Sequence, residues 1–423
     1  MNAQAPQAPQ DRLDYLDAVR AFALLLGIVF HASMSFVPIF MGWAVMDIST
    51  SPLVGSFMLV SHSFRMELFF LIAGFFSHLT FHGKGTGEFL RSRIIRIGLP
   101  FIVGWFLLRP LLVASWIMGT QSLQGDVDIL TGLKSGFLSL KELPAGIFTG
   151  SHLWFLYYLL LITALVLTVR ALTRLFTPAY SRMIDLVDKL VLRISQSTWG
   201  WSLVIVPTSL CLWRMNIWGM ETPDKSLVPN WPVMFVYATF FGFGWLLQRK
   251  PECLEQFAQI SLSRLLLCAL GIGLSLTLSG YQSNPGHPRI NLLRAGFCVS
   301  YALMMWSLVA LSIGLFKRFL NRPHKVVRYL ADSSYWLYLI HLPIVIWLQI
   351  AVAELPWHWS FKLTTVSVLT VGISIVLYDL GVRSTFLGKI LNGRRRPRVL
   401  FGWRANQTSG TWPLTSKTTH EPS

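Results

Sequence analysis

The sequence predicts an all-α fold: a polytopic transmembrane helix bundle of about ten spans, with both termini cytoplasmic. Three observations predict it. Hydrophobic residues make up 53% of the chain and charged residues only 13%, with a mean hydropathy of +0.54, whereas a soluble domain is about a quarter charged. Runs of roughly 17 to 25 apolar residues, each able to cross a hydrocarbon core of about 30 Å, recur from Val19 almost to Val382. The basic residues, finally, gather in alternate connecting segments rather than evenly.

In chain order the expected spans are 19–41, 53–80, 97–118, 153–176, 200–213, 232–248, 263–280, 292–316, 334–353 and 361–382. With the N-terminus inside, the inner segments hold Arg91, Arg93, Arg96, Arg249, Lys250 and Lys317 among many others, and the tail adds Arg394, Arg395, Arg396 and Arg398. Outer loops keep few, such as Lys134, Lys141, Lys225 and Arg289. This is the positive-inside bias, and it accounts for the formal charge of +17 without a nucleic-acid partner. The basic tail reads as a topology and anionic-lipid signal.

Residues 1–12 and 384–423 are rich in Pro, Ser, Thr, Arg and Gln and are expected to be disordered cytoplasmic ends around one transmembrane domain, 13–383. The opening MNAQAPQAPQDR lacks the apolar core of a signal peptide, so the first span directs insertion. The two halves do not mirror each other, which weighs against an inverted-repeat transporter. The longest hydrophilic outer loop, 119–151, holds Gly125, Gly132, Gly136, Gly146, Gly150, Asp126, Asp128 and Glu142 and is too short for a domain of its own. A second, 216–232, carries Trp218, Glu221, Asp224, Lys225 and Trp231; aromatics beside acids suit carbohydrate, but tryptophan at a membrane boundary is more often part of the interfacial belt. Cys211, Cys253, Cys268 and Cys298 are scattered without CxxC spacing, so neither a disulfide framework nor a metal site is expected.

The chemistry lies in ionisable residues within apolar runs. In "VRAFALLLGIVFHAS" Arg20 and His31 are eleven residues apart. At about 100° and 1.5 Å per residue they share one helix face, separated by about 16 Å, with the imidazole near mid-membrane. An arginine at a water-filled mouth can pair with phosphate, and an imidazole deeper in can take a proton from a hydroxyl. The bland alternative is a snorkelling arginine and a packed histidine. It weakens because His62, Arg65 and Glu67 lie in the second span, Arg109 in the third and His341 in the ninth. Such residues are costly in lipid unless paired or facing water. His62 and Arg65 share a face of a continuous helix, whereas Arg65 and Glu67 point apart and each needs another partner. Arg93 and Arg96, three apart in "FLRSRIIRIGLP", suit a phosphorylated ligand and equally suit an ordinary positive-inside cluster. His152 and Trp154 in "SHLWFLYYLLL" fall near the outer interface and alone read as an aromatic anchor. No Walker loop, GxSxG elbow or HExxH accompanies these residues.

Taken in order, Asp17-x-x-Arg20-x10-His31, "FFLIAGFF", "RIIRIGLP", "SHLWFL" and "SSYWLYLIHLPI" resemble the acyltransferase 3 family of integral membrane O-acyltransferases, from about Asp14 to Asp379. "HSFRMELFFLIAGFFS" and "SHLWFL" are most similar to the members implicated in succinylating osmoregulated periplasmic glucans. The usual serine of the FF-x-x-SG motif is Ala73 here, so a role for that serine does not carry over. The resemblance implies a bacterial inner-membrane, multi-pass protein with acyl-CoA as donor substrate, no bound cofactor, and a glycan hydroxyl as acceptor. It maps the family's first-span Arg and His onto Arg20 and His31, its R-x-x-R onto Arg93 and Arg96, and its late His onto His341.

The expected activity is acyl transfer from a cytoplasmic acyl-CoA to a periplasmic or envelope glycan. Arg20, Arg93 and Arg96 hold the CoA phosphates, and His31 acts as general base, with His341 as the alternative base. Arg65, His341 and Tyr338 are the candidates to steady the oxyanion. Glu67, His152 and Trp154 are expected among the substrate-binding residues. A dicarboxylic acyl such as succinyl calls for a cation beyond the thioester, and Arg65 or Arg109 is placed to supply it. The competing reading is a transporter or flippase for an anionic lipid or glycan that uses the same cationic lining without chemistry. A third, a basic-tailed membrane scaffold, predicts that removing everything after Gly393 abolishes function.

Overall fold

The computed structural model describes residues 13–141, 151–175, 177–223 and 226–400. The expectations placed on 1–12, on 401–423, and on Glu142, Gly146, Gly150, Asp224 and Lys225 lie outside the described residues.

Among the described residues the chain forms sixteen α-helices and no strand. They are α1 (Asp14–Ser33), α2 (Pro52–His62), α3 (Arg65–Lys84), α4 (Thr86–Arg93), α5 (Leu99–Ser122), α6 (Ile129–Leu138), α7 (Trp154–Leu175) and α8 (Thr177–Gln196). The second half adds α9 (Ser202–Trp213), α10 (Trp231–Leu247), α11 (Pro251–Phe257), α12 (Leu262–Ser279), α13 (Ile290–Phe319), α14 (Lys325–Val352), α15 (Trp359–Leu377) and α16 (Phe386–Asn392). Eight helical segments are long and apolar enough to cross a membrane. Two of the ten expected spans are shorter apolar helices, Trp199–Trp213 and Trp231–Leu247. At about 1.5 Å per residue neither covers a full hydrocarbon core of about 30 Å.

Glycines set the closest crossing. A Cβ on Gly74 would run into the carbonyl of Phe241, and one on Gly244 into the carbonyl of Leu71, so α3 and α10 touch backbone to backbone. The glycine of "FFLIAG" therefore serves packing. In the loop expected to be hydrophilic, Asp128 caps α6 by accepting the Thr131 amide at 3.0 Å, and Gly132 and Gly136 let that helix lie against Met118 and Pro110 of α5.

The first two expected spans are not continuous. α1 passes into a 3-10 turn at Met34–Phe36, and 37–51 cross the bundle as an irregular strap. The strap is tied down on both sides: the Asp47 amide donates to the Ser35 carbonyl, the Ser51 amide to the Phe36 carbonyl, and the Trp359 amide to the Ser49 hydroxyl. The Lys362 ammonium pairs with the Asp47 carboxylate at 2.7 Å, both side chains being almost wholly buried. The second span breaks between His62 and Arg65. There the Ser61 hydroxyl bonds back to the Phe57 carbonyl and the Ser63 hydroxyl to that of Val60, drawing carbonyls away from the helical ladder.

The expected disorder after 384 is also corrected, as far as Leu400. The Asp379 carboxylate accepts the amides of Val399 and Leu400. Arg383 Nε donates to the Pro397 carbonyl, Arg398 to that of Leu380, and Arg396 pairs with Asp332. The composition of this stretch suggested disorder because it has little apolar surface, yet its arginines and amides find buried acids and free carbonyls.

Candidate active site

α1 presents Arg20, Ala23, Leu24, Gly27, Phe30 and His31 to one cavity of about 440 Å³. This i, i+3, i+4, i+7 stripe is the helix face expected from the Arg20–His31 spacing. The same cavity is lined by Arg65, Ala73, Arg93, Arg96, His152, Trp154, Tyr338 and His341. Of the residues expected to act together, Glu67 is not among the lining, and neither is Arg109, the alternative cation for a dicarboxylic acyl. Arg109 lies over the Trp105 ring instead. Glu67 is wholly buried in the first turn of α3, and neither of its carboxylate oxygens has a hydrogen-bond partner among the described residues.

One end of the cavity is cationic. Arg20 donates to the Ala331 carbonyl at 2.8 Å and lies 3.4 Å from Asp17. Arg93 donates to the Ser77 hydroxyl at 2.8 Å, and its guanidinium covers the Phe89 ring at 4.7 Å. Directly after Arg93 the helix widens into a π-type turn, Ile94–Gly98, which contains Arg96, and both arginines still line the cavity. The Tyr335 hydroxyl donates to the Arg96 carbonyl at 2.6 Å. Gly393, with φ +77°, ends α16 against the Arg96 guanidinium, and Leu391 and Asn392 complete this mouth.

At the other end four imidazoles converge: His31, His62, His152 and His341. His31 sits in the last turn of α1 rather than midway along it, because the helix starts earlier and stops sooner than its apolar run. Its ring stacks on Trp43 of the strap with centroids 5.8 Å apart, and lies 5.3 Å from the His341 ring. Gln349 holds this arrangement, donating to the carbonyls of His31 and Ala32 and accepting the Trp43 indole N–H at 2.9 Å. His341 Nδ1 faces the carbonyls of Leu337 and Tyr338 at 3.1 and 2.8 Å. A carbonyl can only accept, so the proton is on Nδ1 and the Nε2 lone pair is left for a ligand. His62 Nε2 donates to the Met220 carbonyl at 3.0 Å, and Thr222 lines this end beside it.

Arg65 reaches the same chamber across the helix break. Its guanidinium lies over the Phe30 ring at 4.2 Å and against Gly27, and its buried Nη1 has no hydrogen-bond partner. Tyr338, expected as an oxyanion donor, spends its proton on the His152 carbonyl at 2.7 Å. His152 and Trp154 are not interfacial anchors. Both are buried where α7 enters the bundle, His152 donating from Nε2 to the Leu339 carbonyl at 2.8 Å and Trp154 stacking on Tyr237 at 5.6 Å.

Sequence reasoning missed Trp43, Gln349, Asp332 and Asn392. Gln349, an amide within "VIWLQIAV", and Asp332, an acid at the head of the same span, carried a signal as polar residues at costly positions. Trp43 and Asn392 carried none, since each matters only through the fold. Among the described residues no group of three or more His, Cys, Asp or Glu has the arrangement to hold a metal ion.

Comparison with known proteins agrees with the site. The family described as "Acyltransferase domain" matches residues 13–379. "Glucans biosynthesis protein C" of Escherichia coli K12 is 26% identical over 391 residues, covering 91% of this chain and 96% of that protein. The proteins of the same name from Escherichia coli O81 strain ED1a and O9:H4 strain HS match over the same shares. No solved structure matches. A match over nearly the whole membrane part, around a cavity that carries the motif residues, makes this chain a member of the acyltransferase 3 family and an acyltransferase.

Proposed function

We propose that the protein moves an acyl group from a cytoplasmic acyl-CoA to a hydroxyl of a periplasmic or envelope glycan, as a multi-pass protein of the bacterial inner membrane with both termini inside. The observation that carries this reading is the single cavity joining Arg20, Arg93 and Arg96 to His31 and His341. Arg20 and His31 are about 16 Å apart along α1, close to the length of an extended pantetheine arm. Phosphates held at the cationic mouth therefore leave the thioester at the imidazoles.

The acceptor hydroxyl enters from the Thr222 side and attacks the thioester carbon. His31, the more accessible of the central pair, takes its proton as general base. The neighbouring His341 brings an unshared Nε2 pair to the imidazolium that forms. Arg65, with its free Nη1, stabilises the oxyanion of the tetrahedral intermediate. As that intermediate collapses, the C–S bond breaks and the proton passes from His31 to the CoA sulfur. A cation in this place also suits the far carboxylate of a succinyl group, and the relative named for glucan biosynthesis makes a glucan the first acceptor to test. The segments proposed to lie inside bond to one another, as in Arg328 with Asp14 and Lys317 with Glu255, and Asp47 pairs with Lys362 on the opposite side, the grouping this topology requires; the choice of inner side rests on the positive-inside bias.

The test uses purified protein in liposomes, with acyl-CoA on one side and a glucan on the other. Transfer of label from acyl-CoA to glucan is expected, falling by on the order of 10²-fold or more in His31→Ala. Movement of glucan or lipid without acylation would establish the transporter reading instead. Near-normal turnover in both His31→Ala and His341→Ala would remove the assigned base.

A further inference from the structure

α14 contains one proline within its length, Pro343. A proline has no N–H, so the carbonyl four residues earlier, that of Leu339, loses its helical donor. The structure fills this vacancy from another helix: His152, just ahead of α7, donates its Nε2–H to the Leu339 carbonyl at 2.8 Å. The tie is reciprocal, because the Tyr338 hydroxyl donates back to the His152 carbonyl at 2.7 Å. The His152 ring then stands edge-on to His341, with centroids 5.3 Å apart and planes at 81°. His341 in turn lies 5.3 Å from His31. The proline that disturbs α14 therefore sits two residues from His341, the imidazole beside His31.

We propose that Pro343 and His152 are positioning residues for the reacting centre: the carbonyl freed by Pro343 docks His152, and the docked ring holds His341 with its Nε2 lone pair beside His31. This rests on the acyl-transfer reading above. Any displaced backbone can be accommodated by a helix kink alone, but a kink does not require a buried imidazole to supply the missing donor. The tautomers also fit together. His152 is fixed with its proton on Nε2 and His341 with its proton on Nδ1, each by a carbonyl of α14.

The experiment measures kcat and KM in liposomes for His152→Ala, His152→Gln, Pro343→Ala and the double variant His152→Ala/Pro343→Ala, with thermal unfolding of each. His152→Ala and Pro343→Ala are expected to lower kcat by about tenfold to a hundredfold, as small misplacements of catalytic groups do, with KM for acyl-CoA unchanged. Glutamine keeps an N–H near the position of Nε2, so His152→Gln should recover most of the loss. Both single substitutions act on one hydrogen bond, so the double variant should be no worse than the poorer single one, in kcat and in unfolding midpoint alike. Independent, multiplying losses, a wild-type kcat in His152→Ala, or a loss confined to KM would overturn the proposal. A wild-type protein that transfers no acyl group would instead sink the acyl-transfer reading, and the coupling of the unfolding midpoints would still decide for or against the clamp.

Discussion

Removing the Asp47 carboxylate should damage the protein far more than removing the whole ion pair. The strap 37–51 carries Trp43 onto His31, and its anchor is Lys362 Nζ, 2.7 Å from Asp47 and 2.9 Å from the Ala353 carbonyl. The side chains are 0% and 1% exposed, so the energetics of surface pairs do not apply. Burial also raises the Asp47 carboxyl above its ordinary value, more than the Lys362 and Ser49 hydrogen bonds lower it. The intact pair therefore contributes little net stability at neutral pH, while a lone buried ammonium costs about 3–5 kcal/mol. Asp47→Ala should lower the thermal midpoint in detergent and the turnover together, because the strap and Trp43 move. Asp47→Leu with Lys362→Met, which leaves no unpaired charge, should return most of the stability. The reasoning fails if Asp47→Ala unfolds like the wild type, or if the double substitution is as unstable as the single one.

Other sites give sharper local tests. Gly393→Ala meets both a left-handed backbone, worth about 1–2 kcal/mol, and the Arg96 guanidinium; steady-state kinetics should show a raised KM for acyl-CoA with little change in kcat. Arg65→Gln should lower kcat by on the order of 10²–10³-fold with acyl-CoA binding, measured by isothermal titration, nearly unchanged. Gly74→Val, by forcing α3 and α10 apart at the Phe241 carbonyl, should cost at least about 1–3 kcal/mol, read as a lower unfolding midpoint, whereas the same change at the open Gly83 should be mild.

Much of the site was legible in the sequence because helical periodicity is strict. The eleven-residue step from Arg20 to His31 fixes a shared face whatever the helix packs against, and the cavity lining follows that face. The break between His62 and Arg65 was not legible: no proline or glycine marks it, and serine hydroxyls act only once their carbonyls are in reach. His152 looked interfacial because hydropathy reports how apolar a run is, not how deep its first turn sits. Its partner, the Leu339 carbonyl, depends on a proline nearly two hundred residues away in the chain. The structured stretch 394–400 was hidden for a similar reason, as charge and proline content describe a segment in water and not one beside the buried Asp379. That contact also changes a test. Truncation after Gly393 removes Arg396 from Asp332 and the Val399 and Leu400 amides from Asp379, so loss of function there no longer separates a scaffold from an enzyme.

The cationic mouth draws on both ends of the chain, from Arg20 in the first helix to Leu391 and Asn392 in the last. During synthesis Leu391 and Asn392, the lining residues furthest along the chain, follow every other residue of the cavity, so the mouth beside Arg96 is bounded last. The cavity therefore gains its complete lining only at a late step of assembly.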